Sequence, residues 1–204
     1  MRDYLYLASQ SARRRQLLAQ IGVRHEPLLA DAGEDAEALE AVQSGELPAD
    51  YVRRVTLAKL QAARTRLLDR GLPVAPILCA DTTVALGETL LGKPRDDEEA
   101  AHMLERLSGR THQVLTAVAV LEGPHEAFEP GLAVQVSSVR FRVLSADEIV
   151  RYVASGESQG KAGAYAIQSQ AAAWIAHLEG SYSGVMGLPL YETAELLRPL
   201  GWRF

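Results

Sequence analysis

LASQSARRRQLLAQIGV, residues 7–23, decides how this chain is to be read. Tyr4 to Ala8 form a short apolar strand. Leu17, Leu18 and Ile21 then recur at helical spacing and stop at Gly22, so the stretch is a strand, a turn and a helix. Three consecutive arginines, Arg13 to Arg15, fill the first turn of that helix, where Asp or Glu would complement the helix dipole. Unpaired backbone N–H groups at a helix start suit an anion, and guanidinium forks match phosphate oxygens. Ser9, Ser11, Arg13 and Arg14 therefore read either as a phosphate-holding turn or as a solvated basic turn beside two incidental serines.

The rest of the chain sharpens the contrast. Its 204 residues are 48% hydrophobic and 23% charged, with a formal net charge of −5. An acidic chain of ordinary composition is not expected to bind a nucleic-acid polymer or a membrane surface, so the arginines form a local basic island suited to a small anion. The single cysteine, Cys79, lies among apolar residues and reads as a core thiol. No apolar run approaches the length of a membrane span and the start lacks a signal-peptide pattern, which predicts a cytoplasmic protein.

Working outward, residues 31–50 are acidic and poor in large apolar residues, as expected of an exposed loop or weak helix. Val52, Val55, Ala58 and Ala62 predict a helix from Asp50 that carries Lys59. PVAPILCAD (73–81) reads as a buried strand ending at Asp81. TVALGETLLGKP (83–94) reads as a hairpin turning at Gly87-Glu88 and running on to Lys93. A helix follows from Asp96, capped by Asp96 and Glu99, with Ala100, Met103, Leu104 and Leu107 as its apolar face. Residues 112–121 and 132–144 read as long strands, Ser145 and Glu148 as a second capping box, 171–180 as a strand, and Tyr191 to Leu197 as a last helix. The pattern is α/β: a mixed twisted sheet flanked by helices, in one domain over residues 1–204.

Taken singly, each chemistry-bearing residue has a bland alternative. Asp81 after an apolar strand suits a general base or a metal ligand, and equally a turn cap. Lys93 before Pro94, and Lys59 on its helix, are either aimed ammonium groups or solvated ones. Gln168, closing GKAGAYAIQ (160–168), has the donors and acceptor to read a pyrimidine imide edge. GSYSGVMGLPL (180–190) lines a ligand or merely connects two elements. His112 reads as a structural, hydrogen-bonded residue. There is no P-loop, no GxGxxG, no GxSxG and no HExxH in the sequence.

The order of these motifs is more telling than any one of them. SxSxRR, an acidic loop, a helical lysine, ADT, LGKP, LSGRTHQVLTAVA, KAGAYAIQ and GSYSGVMGLPL succeed one another from about Leu5 to Leu197. This succession resembles the Maf family of nucleoside triphosphate pyrophosphatases, and AYAIQ resembles its dTTP/UTP-specific subgroup. The resemblance implies a fold like that of the inosine-triphosphate pyrophosphatases and a homodimer. It implies hydrolysis of dTTP, UTP or modified pyrimidine nucleotides to the monophosphate and pyrophosphate, with Mg²⁺, Mn²⁺ or Co²⁺.

Carried over by position, the resemblance makes Asp81 the proton acceptor and links Arg13, Thr82 and Gln168 to substrate choice. Arg14, Lys59 and Lys93 become the cations around the phosphates, and Ser9 part of the phosphate turn. Glu34, with Asp35 as fallback, becomes the acidic metal ligand beside Asp81. Two positions depart from the family pattern: Ala12 replaces a proline and Ser169 a glycine. The rival readings are a non-catalytic nucleotide-binding regulator of division or growth, and a phosphatase releasing orthophosphate.

Overall fold

A computed structural model of the protein describes residues 4–31, 33–34, 38–124 and 129–204. One mixed sheet of seven strands organises them. Strand β1 (Leu5–Leu7) leads into helix α1 (Ala12–Gln20), and β2 (His25–Pro27) returns parallel to β1. Helix α2 (Pro48–Asp69) precedes β3 (Ile77–Leu86), which turns into β4 (Thr89–Leu91). Helix α3 (Asp97–Leu107), strands β5 (Thr111–Leu121) and β6 (Gly131–Phe141) and helix α4 (Ala146–Ala154) follow. Strand β7 (Ile175–Glu179), helix α5 (Tyr182–Met186) and helix α6 (Leu190–Leu197) complete the chain. The strands lie in the order β2-β1-β3-β5-β6-β7, with β4 on the edge of β3.

Alternation along the strands divides the core. Leu5, Leu7, Leu78 and Val118 face α1, α5 and α6, packing with Leu17, Leu18, Leu188 and Leu197. Tyr6, Ile77, Cys79 and Ala119 face α2 and meet Leu60, Ala63 and Leu67. Beyond the hairpin, α3 and α4 close a third cluster around Phe141, Tyr152 and Trp174. Among the described residues no helix is long and apolar enough to cross a membrane.

The elements differ from sequence expectation in instructive places. Asp81 does not end a strand. β3 runs straight through it because β5 pairs with it from Ile77↔Leu121 to Ala85↔Gln113. The other edge of β3 is shared: β1 pairs with it only at Ile77 and Leu78, and β4 only at Val84 to Leu86. Between them, at Asp81 and Thr82, that edge is open. Residues 170–174 form a 3₁₀ turn rather than the start of a strand. The acidic stretch contributes a 3₁₀ turn at Ala38–Glu40, and α2 begins at Pro48, two residues before Asp50. The Ser145–Glu148 capping box forms in full. At α3 only half of the box forms, because the Glu99 carboxylate accepts from Arg95 instead of from the Asp96 backbone.

His112 is a buried structural residue. Its Nε2 lies 2.8 Å from the Tyr165 hydroxyl, and its ring stands edge-on to Phe141 and Tyr165. Burial pushes its pKa down to about 4, against a smaller opposing effect of the Arg110 backbone. The folded chain thus holds fewer protons than the unfolded one between about pH 4 and 6.5, so stability falls as pH drops through that window. Between pH 7 and 4.5 this one group is expected to remove about 2.5 kcal/mol. Urea unfolding at both pH values should show His112→Gln losing less stability on acidification than the parent, by roughly that amount.

Candidate active site

The open edge of β3 is where the site lies. β1 ends at Leu7, Ala8 still bonds to the Leu78 carbonyl, and the chain then turns through Ser9 to Ser11 into α1. Ser11 caps the helix by accepting from the Arg14 N–H. Ser9 Oγ accepts from the Ser11 N–H and from Arg14 Nη1, both at 3.2 Å. The first turn of α1 carries no acidic residue, and Arg13 and Arg14 face a cleft of about 900 Å³.

Because side chains alternate on β3, Asp81 and Thr82 leave it on opposite faces. Asp81 joins the α2 face. There Lys59 sits one turn from Val55 and two from Val52 and Arg66, on the stripe of α2 that packs inward. Lys59 Nζ donates to Asp81 Oδ1 at 2.6 Å and to Glu40 Oε1 at 2.7 Å. Lys93, carried in by the hairpin, donates to both Glu40 oxygens at 3.0 and 2.7 Å. The result is a continuous chain, Asp81–Lys59–Glu40–Lys93. Burial alone would depress the Lys59 ammonium, but Asp81 and Glu40 outweigh it and hold it above the usual lysine value. Burial likewise works against ionised Glu40, yet Lys59 and Lys93 keep its carboxyl below the usual range.

Thr82 joins the other face, beside Arg14. The Arg14 guanidinium donates from Nε to the Gly187 carbonyl at 2.7 Å and from Nη2 to Thr82 Oγ1 at 3.3 Å. Desolvation pulls Arg14 below the ordinary guanidinium value and the Asp81 charge opposes that pull. Across the cleft lie Lys161, Tyr165 and Gln168. Among the described residues, six cationic side chains (Arg13, Arg14, Lys59, Arg66, Lys93, Lys161) and three carboxylates (Glu34, Glu40, Asp81) line it. A chain of net charge −5 has gathered a positively charged cavity of small-ligand size.

Ser9, Arg13, Arg14, Lys59, Asp81, Thr82, Lys93 and Gln168 all line this one cleft. Glu34 lines it too, but its carboxylate is taken up elsewhere. Arg66 donates to it from Nε at 2.8 Å and from Nη2 at 2.5 Å, and the Asp31 N–H bonds to it at 3.1 Å. Chiefly the bond from Arg66 holds the Glu34 carboxyl down at about 2. Asp35 lies outside the described residues. The carboxylate that shares Lys59 with Asp81 is Glu40, which sequence reasoning missed.

Nothing periodic marks Glu40, because its position is set from α2. Arg54 donates to the carbonyls of Leu39 and Ala41, and the Tyr51 hydroxyl to that of Glu40 itself. Arg54 is held in turn by a two-point bond to Glu46 at 2.6 and 2.8 Å. Three successive carbonyls of the turn are thus fixed by two side chains one helical turn apart.

The chain matches the family described as "Maf-like protein" over residues 4–200. It is 58% identical over 203 residues to the dTTP/UTP pyrophosphatase of Albidiferax ferrireducens, covering 100% of both chains. It is 59% identical over 206 residues to that of Cupriavidus pinatubonensis, again covering 100% of both. With the dTTP/UTP pyrophosphatase of Ralstonia nicotianae it shares 61% identity over 194 residues, 95% of this chain and 92% of that one. Among solved structures it matches the Staphylococcus aureus Ham1 protein with a TM-score of 0.42 and 12% identity, over 68% of this chain and 71% of that one. A likeness that weak says nothing about chemistry.

Proposed function

The chain belongs to the Maf family, and we propose that it hydrolyses dTTP and UTP to the nucleoside monophosphate and pyrophosphate. The observation that carries the reading is the Asp81–Lys59–Glu40–Lys93 chain facing Arg13 and Arg14 across one cleft. It sets a carboxylate base among the cations that a triphosphate needs. Relatives of matching length and at least 58% identity that carry the name dTTP/UTP pyrophosphatase support the substrate class.

In this reading the triphosphate lies between the α1 turn and Lys93. Asp81, oriented by its bond from Lys59 to Oδ1, takes a proton from water. The water oxygen bonds to the α-phosphorus, and the bond from that phosphorus to the bridging oxygen breaks. Pyrophosphate leaves with the electron pair, its charge stabilised by Arg13, Arg14 and Lys93. Lys59, held in its charged form, keeps the Asp81 carboxylate aligned through its bond to Oδ1.

Asp81 and Glu40 are hard oxygen donors converging on the same Lys59 Nζ. One or two carboxylates, completed by waters and substrate phosphates, form a set that Mg²⁺, Mn²⁺ or Co²⁺ accepts. We assign the metal to Glu40 and Asp81, because these two carboxylates meet at one cation, Lys59, whereas Glu34 pairs with Arg66. When bound, the ion supplies charge neutralisation at the phosphates. Gln168, at the exposed end of the 160–168 segment, is assigned to the base. The same reading makes the protein a cytoplasmic homodimer, on the family resemblance alone.

Purified protein with Mg²⁺ or Mn²⁺ should release pyrophosphate from dTTP and UTP, and much less from CTP, GTP, ITP or 7-methyl-GTP. Pyrophosphate and orthophosphate are scored separately. Orthophosphate alone would make the protein a phosphatase, and dTTP binding without product would make it a nucleotide-binding regulator.

A further inference from the structure

We infer that Thr116, which lines no part of the cleft, is the residue that positions Arg14, and that it acts through Thr82. The inference rests on the reading of Arg14 as a phosphate ligand. Thr116 sits in the middle of β5, within VLTAVAVL, and is fully buried. A hydroxyl there is costly unless it is bonded, and valine would fill the same space. Thr116 makes two bonds. Its Oγ1 donates to the Gly184 carbonyl at 2.8 Å and lies 3.0 Å from Thr82 Oγ1.

Counting protons fixes the direction of the whole chain. A carbonyl only accepts, so the single Thr116 proton goes to Gly184. Thr116 can then only accept from Thr82, which commits the Thr82 proton. Thr82 Oγ1 is left with lone pairs, one of which takes the Arg14 Nη2 proton. Arg14 therefore spends three of its five N–H groups on Thr82, Ser9 Oγ and the Gly187 carbonyl. One N–H on each terminal nitrogen remains, in a plane the protein has already set.

The two ends of the arrangement hold the short helix α5 and its C-terminal cap, Thr116 at Gly184 inside the helix and Arg14 at Gly187 just past its end. That helix is docked closely: a Cβ at Gly184 would lie 2.5 Å from Gln135 Oε1. Thr82, with its proton committed, has none to donate to a nucleotide. Its influence on substrate runs through Arg14. Without the Thr116 hydroxyl, Thr82 is free to turn its proton away, and Arg14 loses both the fixed acceptor and the tethered helix.

The test compares Thr116→Val, Thr116→Ser, Thr82→Val and the double valine variant, measuring calorimetric Kd for inorganic pyrophosphate and dTTP together with KM, kcat and melting temperature. Thr116→Val is expected to raise both Kd values and KM by about tenfold, the scale of one neutral hydrogen bond, with kcat altered less than about threefold. Thr116→Ser should restore the parent values, and the double variant should be no weaker than Thr82→Val alone, since both remove one relay. Unchanged Kd and KM with a lowered melting temperature would reduce Thr116 to a structural residue. Failure of Ser to restore, or additive losses in the double variant, would also overturn the relay. Thr116→Cys, which like Thr116→Ser lacks the methyl group but has only a weak donor, replaces Thr116→Val if the latter does not fold, with the same expectation measured against Thr116→Ser. Arg14→Lys separates the two layers. If it leaves pyrophosphate binding untouched, Arg14 is not a phosphate ligand. If it weakens binding while Thr116→Val does not, the relay alone is wrong.

Discussion

Asp81→Asn lowers the turnover of dTTP by about 10² to 10⁴, the range for losing a general base, while KM shifts by only a few-fold. The substitution keeps the shape and an Oδ1 that accepts from Lys59, but turns the other oxygen into an NH₂ and removes the charge that lets a carboxylate take a proton from water. The fold should survive it, because Lys59 retains its bond to Glu40 and β3 is paired by backbone along β5. Pyrophosphate release in the steady state, beside a thermal melt, checks both halves of the expectation. Near-parental turnover would remove Asp81 from the base role.

Glu40→Gln is the second large effect. It removes a charge from the pair assigned to the metal and leaves Lys59 and Lys93 with less to hold. The metal concentration for half-maximal rate should rise by at least about 10- to 100-fold, the size already seen when a ligand loses only its outer-shell partner. Glu34→Gln is the matched control. It deprives the buried Arg66 of its carboxylate, so it should lower the melting temperature and leave the metal requirement where it was. The two variants thus separate a residue that serves the reaction from one that holds the cleft's far wall. A raised metal requirement in Glu34→Gln, with none in Glu40→Gln, would reverse the assignment.

The same pair of glutamates shows what could be read from the sequence and what could not. Local physics is legible. The long strands β5 and β6, the turn at Gly87-Glu88 with its positive φ at Gly87, and the apolar face of α3 all appear where the sequence predicts them. So does the cleft as a collection of residues, because the order of motifs carries it. Positions fixed by distant contacts are not legible. Glu40 is placed by Arg54 and Tyr51, 14 and 11 residues further along, across a stretch with no periodicity. Asp81 reads as a strand end, since an aspartate amid apolar residues is normally a turn. Only β5, pairing along the whole of β3, makes it a mid-strand residue at an open edge. Thr116 looks like one more β-branched residue in a core strand until its partners are known.

In the proposed reaction, water activated at Asp81 attacks the α-phosphorus. Hydrolysis of dTTP in H₂¹⁸O, with both products resolved by mass spectrometry, tests it most directly. One ¹⁸O is expected in dTMP and none in pyrophosphate. Label in pyrophosphate with unlabelled dTMP would mean attack at the β-phosphorus and would contradict it.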